Sequence, residues 1–323
     1  MPHSHDGAAP SPRATVIDRA HDLSARLDGA RAAGLTVGLV PTMGALHQGH
    51  LSLVRRAAGD CDVVVVTVFV NPLQFGPGED LATYPRDLDA DIEAAGRGGA
   101  DLVFAPSVAE MYPEPDAAGL GLDAIGVDSG VFDGLTDVFE GASRPGHFAG
   151  VARVVARLFG IAGACRAYFG EKDWQQVLVV RRLVEALALP VEVVTCPTVR
   201  DADGLACSSR NARLSPDERR AALALSGALS GAAALAVAGE GDPTVIRRHL
   251  VETVAKERLV RLDYAAVVAA GDLTPVHSLA GDVRLLLAAT VGATRLIDNV
   301  GLTPQAAWAG TAAAGPEHER RSA

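Results

Sequence analysis

The segment His47-Gln48-Gly49-His50 sets two imidazoles three positions apart, after a short apolar run and before a helical pattern. Residues at i and i+3 of a first helical turn share one side, so both rings can act on one ligand. A helix start also brings unpaired N–H groups and the positive end of the helix dipole, and both suit phosphate. Gly49 is expected to remove a Cβ that would block close approach of that ligand. Imidazole N–H groups can donate to charge that develops on phosphate oxygens, which is transition-state stabilisation. The spacing is not His-Glu-x-x-His, so a zincin pattern is excluded. Taken alone, the four residues could equally cap a helix or bind stray metal.

Phe169-Gly170-Glu171-Lys172-Asp173 stands at a second strand-to-helix junction. Lys172 could reach a phosphate, and Asp173 could orient a ribose hydroxyl, the lysine or a metal. Alone, the segment is more simply a helix cap with a solvated lysine. Asp201–Arg213 (DADGLACSSRNAR) is polar and turn-rich. Its Ser208, Ser209 and Arg210 could close over a triphosphate, although by itself it reads as an interdomain linker. Three such segments, each at the carboxyl end of an expected strand, are hard to ascribe jointly to linker chemistry. Gln74 and Gln176 could recognise a hydroxyl or carboxylate, since a buried amide needs a partner; bonding to loop backbone competes. Asp87, Asp89, Asp91 and Glu93 read most simply as a solvated acidic helix face, and their spacing is not that of an EF-hand.

These segments need a frame. Thr36–Pro41, Asp62–Val70, Asp101–Ala105, Ala167–Phe169 and Val191–Thr195 are expected strands. Helical patterns run at about 49–58, 87–97, 147–161 and 173–188. The β-branched run DVVVVTVFV suits a parallel strand covered on both faces. Alternation of this kind predicts a Rossmann-like doubly wound parallel sheet with ligands at the carboxyl ends of its strands. The pattern then changes. Ser215-Pro216-Asp217-Glu218 is a capping-box start, followed by two long helices, 216–238 and 243–258, and three strands, 262–269, 283–290 and 295–300. The expected organisation is a disordered leader (1–13), a nucleotide-binding domain (14–198), a smaller C-terminal α/β domain (199–302) and a flexible tail (303–323). The Gly- and Asp-rich stretch from Tyr112 to Phe139 reads as a long surface loop.

A formal charge of −10 argues against nucleic acid and acidic membrane as partners, because phosphate backbones reward clustered Lys and Arg. The four cysteines form no CxxC, so buried free thiols are expected in place of a zinc site or disulfide framework. No signal-peptide core or uninterrupted transmembrane-length run is apparent, so a soluble, cytoplasmic protein is expected.

The segments PTMGALHQGHLSLV, VFVNPLQFGPGEDLATYPRD, SRPGHFAGV, YFGEKDWQQ and PTVRDADGLACSSRN occur in the order found in pantothenate synthetases, the pantoate–β-alanine ligases of the His-x-Gly-His nucleotidyltransferase superfamily. The chain resembles that family from about Val16 to about Leu302. The resemblance implies a homodimer and a two-step reaction: pantoate attacks Mg-ATP to give pantoyl adenylate and pyrophosphate, then β-alanine displaces AMP. It implies that Met43, Gly44, Ala45, Leu46, His47, Gln48, Gly49 and His50 line the ATP site. Gly170, Glu171, Lys172, Asp173, Val199, Cys207, Ser208, Ser209 and Arg210 complete that site. Gln74 and Gln176 match pantoate-binding glutamines, with Gln74 also at β-alanine. His50 matches the histidine assigned as donor, with His47, Lys172 and Arg210 beside it. Mg²⁺ is expected on the ATP phosphates, and its protein ligands are unknown. Cys207 replaces a usual Met, Trp174 a usual Tyr or Phe, the turn at 163–166 departs from the pattern, and the 114–139 loop is longer. Two other classes fit parts of the pattern. One is an enzyme moving a whole nucleotide onto a phosphorylated acceptor, which would want cations where Gln74 and Gln176 stand. The other is a non-catalytic nucleotide binder, whose sign would be loss of His47, His50 or Lys172.

Overall fold

The computed structural model describes residues 14–79, 81–113 and 129–303. The expected leader, the loop residues 114–128 and the tail from 304 lie outside them. The chain divides into two compact units: Met1–Arg200 with Cys207–Ser209, and Asp201–Ala206 with Arg210–Ala323.

In the first unit the chain runs β1 (Thr15–Ile17), α1 (Ala20–Ala32), β2 (Val37–Val40), α2 (Gln48–Asp60), β3 (Val63–Thr67) and α3 (Leu88–Gly98). It continues through β4 (Leu102–Phe104), one-turn helices α4 (Val108–Met111) and α5 (Glu140–Ser143), α6 (His147–Ala162), β5 (Cys165–Gly170), α7 (Trp174–Ala186) and β6 (Val191–Cys196). All six strands are parallel, in the order β1-β4-β3-β2-β5-β6. β2 is buried at every position, as a central strand with helices on both faces must be. Leu53, Val54 and Ala57 of α2 pack with Val40, Val64, Val66, Ile92 and Tyr168, so the helix that follows His47 is anchored by its apolar stripe.

The strand order fixes where a ligand can sit. From β2 the chain builds outward through β3 and β4, then returns to place β5 on the opposite side of β2. Gly38 pairs with Arg166 and Leu39 with Ala167 across that junction. The reversal opens a crevice at the carboxyl ends of β2 and β5, because the following connections leave toward opposite faces.

Two sequence expectations change here. The element pair β1 and α1 precedes the strand at which the expected alternation began. Within the expected surface loop, residues 129–139 belong in part to the core: Phe132 is fully buried and Leu135 is nearly so. The Gly and Asp content there serves tight turns around two apolar anchors, which composition alone did not separate from a solvated loop.

The second unit contains α8 (Pro216–Val237), α9 (Pro243–Val254) and an antiparallel sheet, β7 (Val260–Ala269), β8 (Val283–Val291) and β9 (Thr294–Leu302), ordered β7-β8-β9. Ser215 and Glu218 form the expected capping box at the start of α8. By length and composition α8 could cross a bilayer, where no uninterrupted run of that length was expected. Its Ala228, Leu229, Ala232 and Ala236 instead pack with Ile246, Leu250, Leu285 and Leu287, the small side chains allowing close helix and sheet approach.

Candidate active site

β2 ends in a turn that carries Met43 to His47 into α2. His47 is the N-cap of α2, and its Nδ1 accepts the Gly49 N–H at 3.1 Å. The His47 N–H in turn points at His50 Nδ1, 3.4 Å away. A ring nitrogen that accepts carries no proton, so in both rings the proton sits on Nε2. The rings stack with centroids 4.0 Å apart. Burial, helped by the nearby charges of His47 and Lys172, pushes the His50 pKa down to about 3. His50 is therefore neutral at physiological pH and acts as an Nε2–H hydrogen-bond donor.

This arrangement corrects one expectation and adds a reason for Gly49. The start of α2 does not offer a full set of free amides, because the histidine rings themselves cap it. Gly49 is required by the protein before any ligand arrives: a Cβ there would lie 2.9 Å from the His47 ring.

β5, the neighbour of β2, ends at Gly170, and Glu171–Asp173 form a single 3₁₀ turn before α7. Lys172 lies there with only 18% of its side chain exposed, 3.8 Å from the Asp173 carboxylate and near enough to act electrostatically on His50. Asp173 takes the N-cap position of α7 without a side-chain cap bond. Beyond β6, the Val199 carbonyl accepts the Cys207 N–H at 2.9 Å, which folds the following loop back. Cys207 is buried, and its Cβ stands 3.5 Å from where a Cβ on Gly49 would be. Ser209 Oγ is 3.4 Å from Tyr84 Oη. Arg210 is counted with the second unit, whereas Cys207–Ser209 belong to the first. Gln48 turns along its own helix toward Arg55.

Gln74 follows β3 and is buried, its amide nitrogen 2.8 Å from Met43 Sδ. Its Oε1 accepts from Asn71 Nδ2 at 3.1 Å. Asn71 also donates to the Gly150 carbonyl at 3.1 Å and accepts from Tyr112 Oη at 2.9 Å. The main chain of Gln74 is held as firmly. His147 donates through Nδ1 to the Gln74 carbonyl at 2.8 Å, because its Nε2 must accept from Arg144 at 3.0 Å. Arg144 clasps Glu79 through Nε and Nη2 at 2.9 and 2.6 Å. Burial raises the Glu79 carboxyl, but bonding to Arg144 outweighs it and leaves the group below its ordinary range. Burial and the Arg144 charge hold the His147 pKa at about 4.

Gln176 is half-buried near the start of α7, and no described residue bonds its amide. Gln175 beside it is structural: it donates to the Leu135 and Val138 carbonyls at 2.6 and 2.8 Å and accepts the Glu140 N–H at 3.1 Å.

The acidic face on α3 is corrected at one position. Asp91 is 4% exposed and accepts from the Ala45 and Leu46 N–H groups at 3.0 and 2.7 Å. Asp91, Ala95 and Gly98 fall at i, i+4 and i+7 on the buried stripe of α3, a signal that could have found it. Asn71 also had a signal, an Asn directly before Pro72 at a turn start. Arg144, His147 and Glu79 stand in two of the quoted segments, but only folding brings those two segments together.

A doubly wound parallel sheet, with two ring donors and a lysine just past the carboxyl ends of the strands that flank its reversal point, defines an α/β protein of the nucleotide-binding class. The sequence profile of the family described as pantoate-beta-alanine ligase matches residues 15–301. This chain belongs to that family. It is 52% identical to the pantothenate synthetase of Moorella thermoacetica over 271 residues, 84% of this chain and 92% of that one. It is 53% identical to that of Rubrobacter xylanophilus, over 84% of this chain and 93% of the relative. The crystal structure of pantothenate synthetase from Thermus thermophilus superposes with a TM-score of 0.82 at 46% identity, covering 90% of this chain and all of that one. A Francisella tularensis pantoate-beta-alanine ligase, solved with beta-gamma ATP and beta-alanine, aligns at TM-score 0.70 and 30% identity, covering 89% and 97% of the two chains.

Proposed function

We infer that this chain joins (R)-pantoate to β-alanine at the expense of ATP. In the first step a pantoate carboxylate oxygen attacks the α-phosphorus of Mg-ATP, the bond to the β-phosphate breaks, and pyrophosphate leaves. In the second, the β-alanine amine attacks the acyl carbon of pantoyl adenylate, the C–N bond forms, and AMP departs as the amine loses a proton. Such chemistry needs two anions aligned and the charge on the leaving pyrophosphate met by donors already in place.

The observation that carries the reading is the pair of rings whose Nδ1 atoms are taken by main-chain N–H groups. Both Nε2–H groups are then pre-set as donors that need no reorientation when charge develops. We assign His50 as the principal donor to the departing pyrophosphate, as a neutral hydrogen-bond donor, with His47 and Lys172 beside it; the sequence resemblance adds Arg210 to this set. The sequence resemblance assigns Met43–His50, Gly170–Asp173, Val199 and Cys207–Arg210 to the ATP site. Gln74 orients pantoate and β-alanine, and Gln176 supplies an amide to pantoate. Neither glutamine adds charge that would blunt the carboxylate nucleophile.

Magnesium enters as part of the substrate. Among the described residues no group of three or more His, Cys, Asp or Glu is placed to hold a metal ion, and the donors around His50 suit phosphates that bring their own cation. The working form is a homodimer, for which the sequence resemblance is the support; sedimentation of the purified chain tests the dimer. The adenylation test is ATP–pyrophosphate exchange with (R)-pantoate and no β-alanine, where exchange is expected and its absence overturns the proposal.

A further inference from the structure

We propose that Asp91 is a positioning residue for the two histidines, acting through the turn that carries them and not by touching a ligand; this rests on the adenylation reading above.

The turn is contorted. Gly44 and Ala45 both lie in the left-handed region, at φ +82° and +51°. Alanine avoids that region because its Cβ crowds the carbonyl, so the conformation persists only where the surroundings fix it. Four consecutive N–H groups show what fixes it. Gly44 donates to Thr42 Oγ1 at 3.1 Å, Ala45 to Asp91 Oδ2 at 3.0 Å, Leu46 to Asp91 Oδ1 at 2.7 Å, and His47 to His50 Nδ1 at 3.4 Å. Asp91 thus holds the two middle links of a run whose last link sets the His50 tautomer.

The match is specific to a carboxylate. Here each of two adjacent N–H groups has its own oxygen, and an amide side chain offers only one, with a donor in place of the other. Gly44 is shaped to the same group, since a Cβ on it would lie 2.7 Å from Asp91 Oδ2. Burying a carboxylate is costly, yet α3 turns Asp91 inward while Asp89 and Glu93 stay exposed. The first turn of α3 lowers that cost through its dipole. Burial raises the Asp91 pKa, the two main-chain bonds lower it, and the Asp87 charge raises it, with a net rise. None of these partners is a cation that would make the group an ordinary ion pair.

A shift of the 44–46 backbone moves His47 N–H and frees the His50 ring, and donor geometry in a transition state tolerates little displacement. Ground-state binding by other groups is left intact, so turnover falls while KM holds.

The experiment compares ATP–pyrophosphate exchange in wild type, Asp91→Asn and Asp91→Ala. Asparagine keeps the shape but sets a donor against one of the two N–H groups. Both variants are expected to lose at least about tenfold in exchange turnover with the KM for ATP and pantoate within about twofold, the pattern of an interaction made only in the transition state. Wild-type turnover by Asp91→Asn, or a loss expressed as raised KM, overturns the proposal. A wild type that shows no exchange fails the adenylation reading instead. Amide hydrogen exchange on the wild-type chain then decides Asp91 separately, and does so even if neither variant folds. The Ala45 and Leu46 amides are expected to be protected at least about a hundredfold over free peptide. Exchange at the free-peptide rate overturns it.

Discussion

The imidazole of His47 lies over that of His50 at 4.0 Å between centroids, with the planes 29° apart, and each ring is turned by an N–H of the same helical start. The contact makes the second histidine depend on the first: the main-chain N–H of His47 selects the His50 tautomer. Removing the His50 ring takes away a donor aimed where charge develops. His50→Ala and Lys172→Ala are each expected to cut ATP–pyrophosphate exchange by at least about a hundredfold, the scale of one lost transition-state donor. Wild-type-like exchange by either purified variant would refute its role.

Acid should weaken the fold early. His50 is held at about 3 and His147 at about 4, both below the ordinary 6.5. Between 6.5 and those values the unfolded chain binds protons that the folded chain refuses, so stability falls as pH falls. Each ring contributes about 1.4 kcal/mol per pH unit across its window. Urea unfolding at pH 7.0 and 5.5 should show a clear drop, and His147→Gln should reduce it. A stability unchanged over that interval would contradict the burial of these rings.

Gly150 in the first turn of α6 touches the main chain of Leu73 and Gln74. A Cβ there would overlap the Leu73 carbonyl and lie 2.6 Å from Gln74 Cα. Backbone cannot yield as a flexible side chain can, so Gly150→Ala should displace Gln74. The KM for pantoate is expected to rise at least about tenfold, with ATP binding little changed, since the loss falls on substrate orientation. Unaltered pantoate kinetics would show that Gln74 does not orient the acid.

Neighbouring glutamines on α7 should separate cleanly. Gln175→Ala strands two carbonyls and an N–H and is expected to cost about 1–3 kcal/mol in stability. Gln176→Ala should leave the melting temperature near wild type and raise the KM for pantoate. Calorimetry with initial-rate kinetics checks both, and a reversed pattern would overturn the assignment.

The sequence by itself determined the period of the elements from β2 to β9 that carry a full amphipathic or β-branched pattern, the capping box at Ser215, the parallel sheet and the three segments at strand ends, because these follow from local pattern and chain order. Tertiary structure decided which nitrogens stay available and which acids are buried. Asp91 looks like its neighbours Asp89 and Glu93 in a one-dimensional pattern, and it differs only because α3 turns it toward Ala45 and Leu46, forty-odd residues earlier. The cluster around the Gln74 carbonyl likewise joins two distant segments, Gln74 with Glu79 and Arg144 with His147. Hydrogen-bond direction and desolvation depend on what surrounds an atom in three dimensions. Spacing proposed two histidines and an anion, and only folding showed that both rings present Nε2–H.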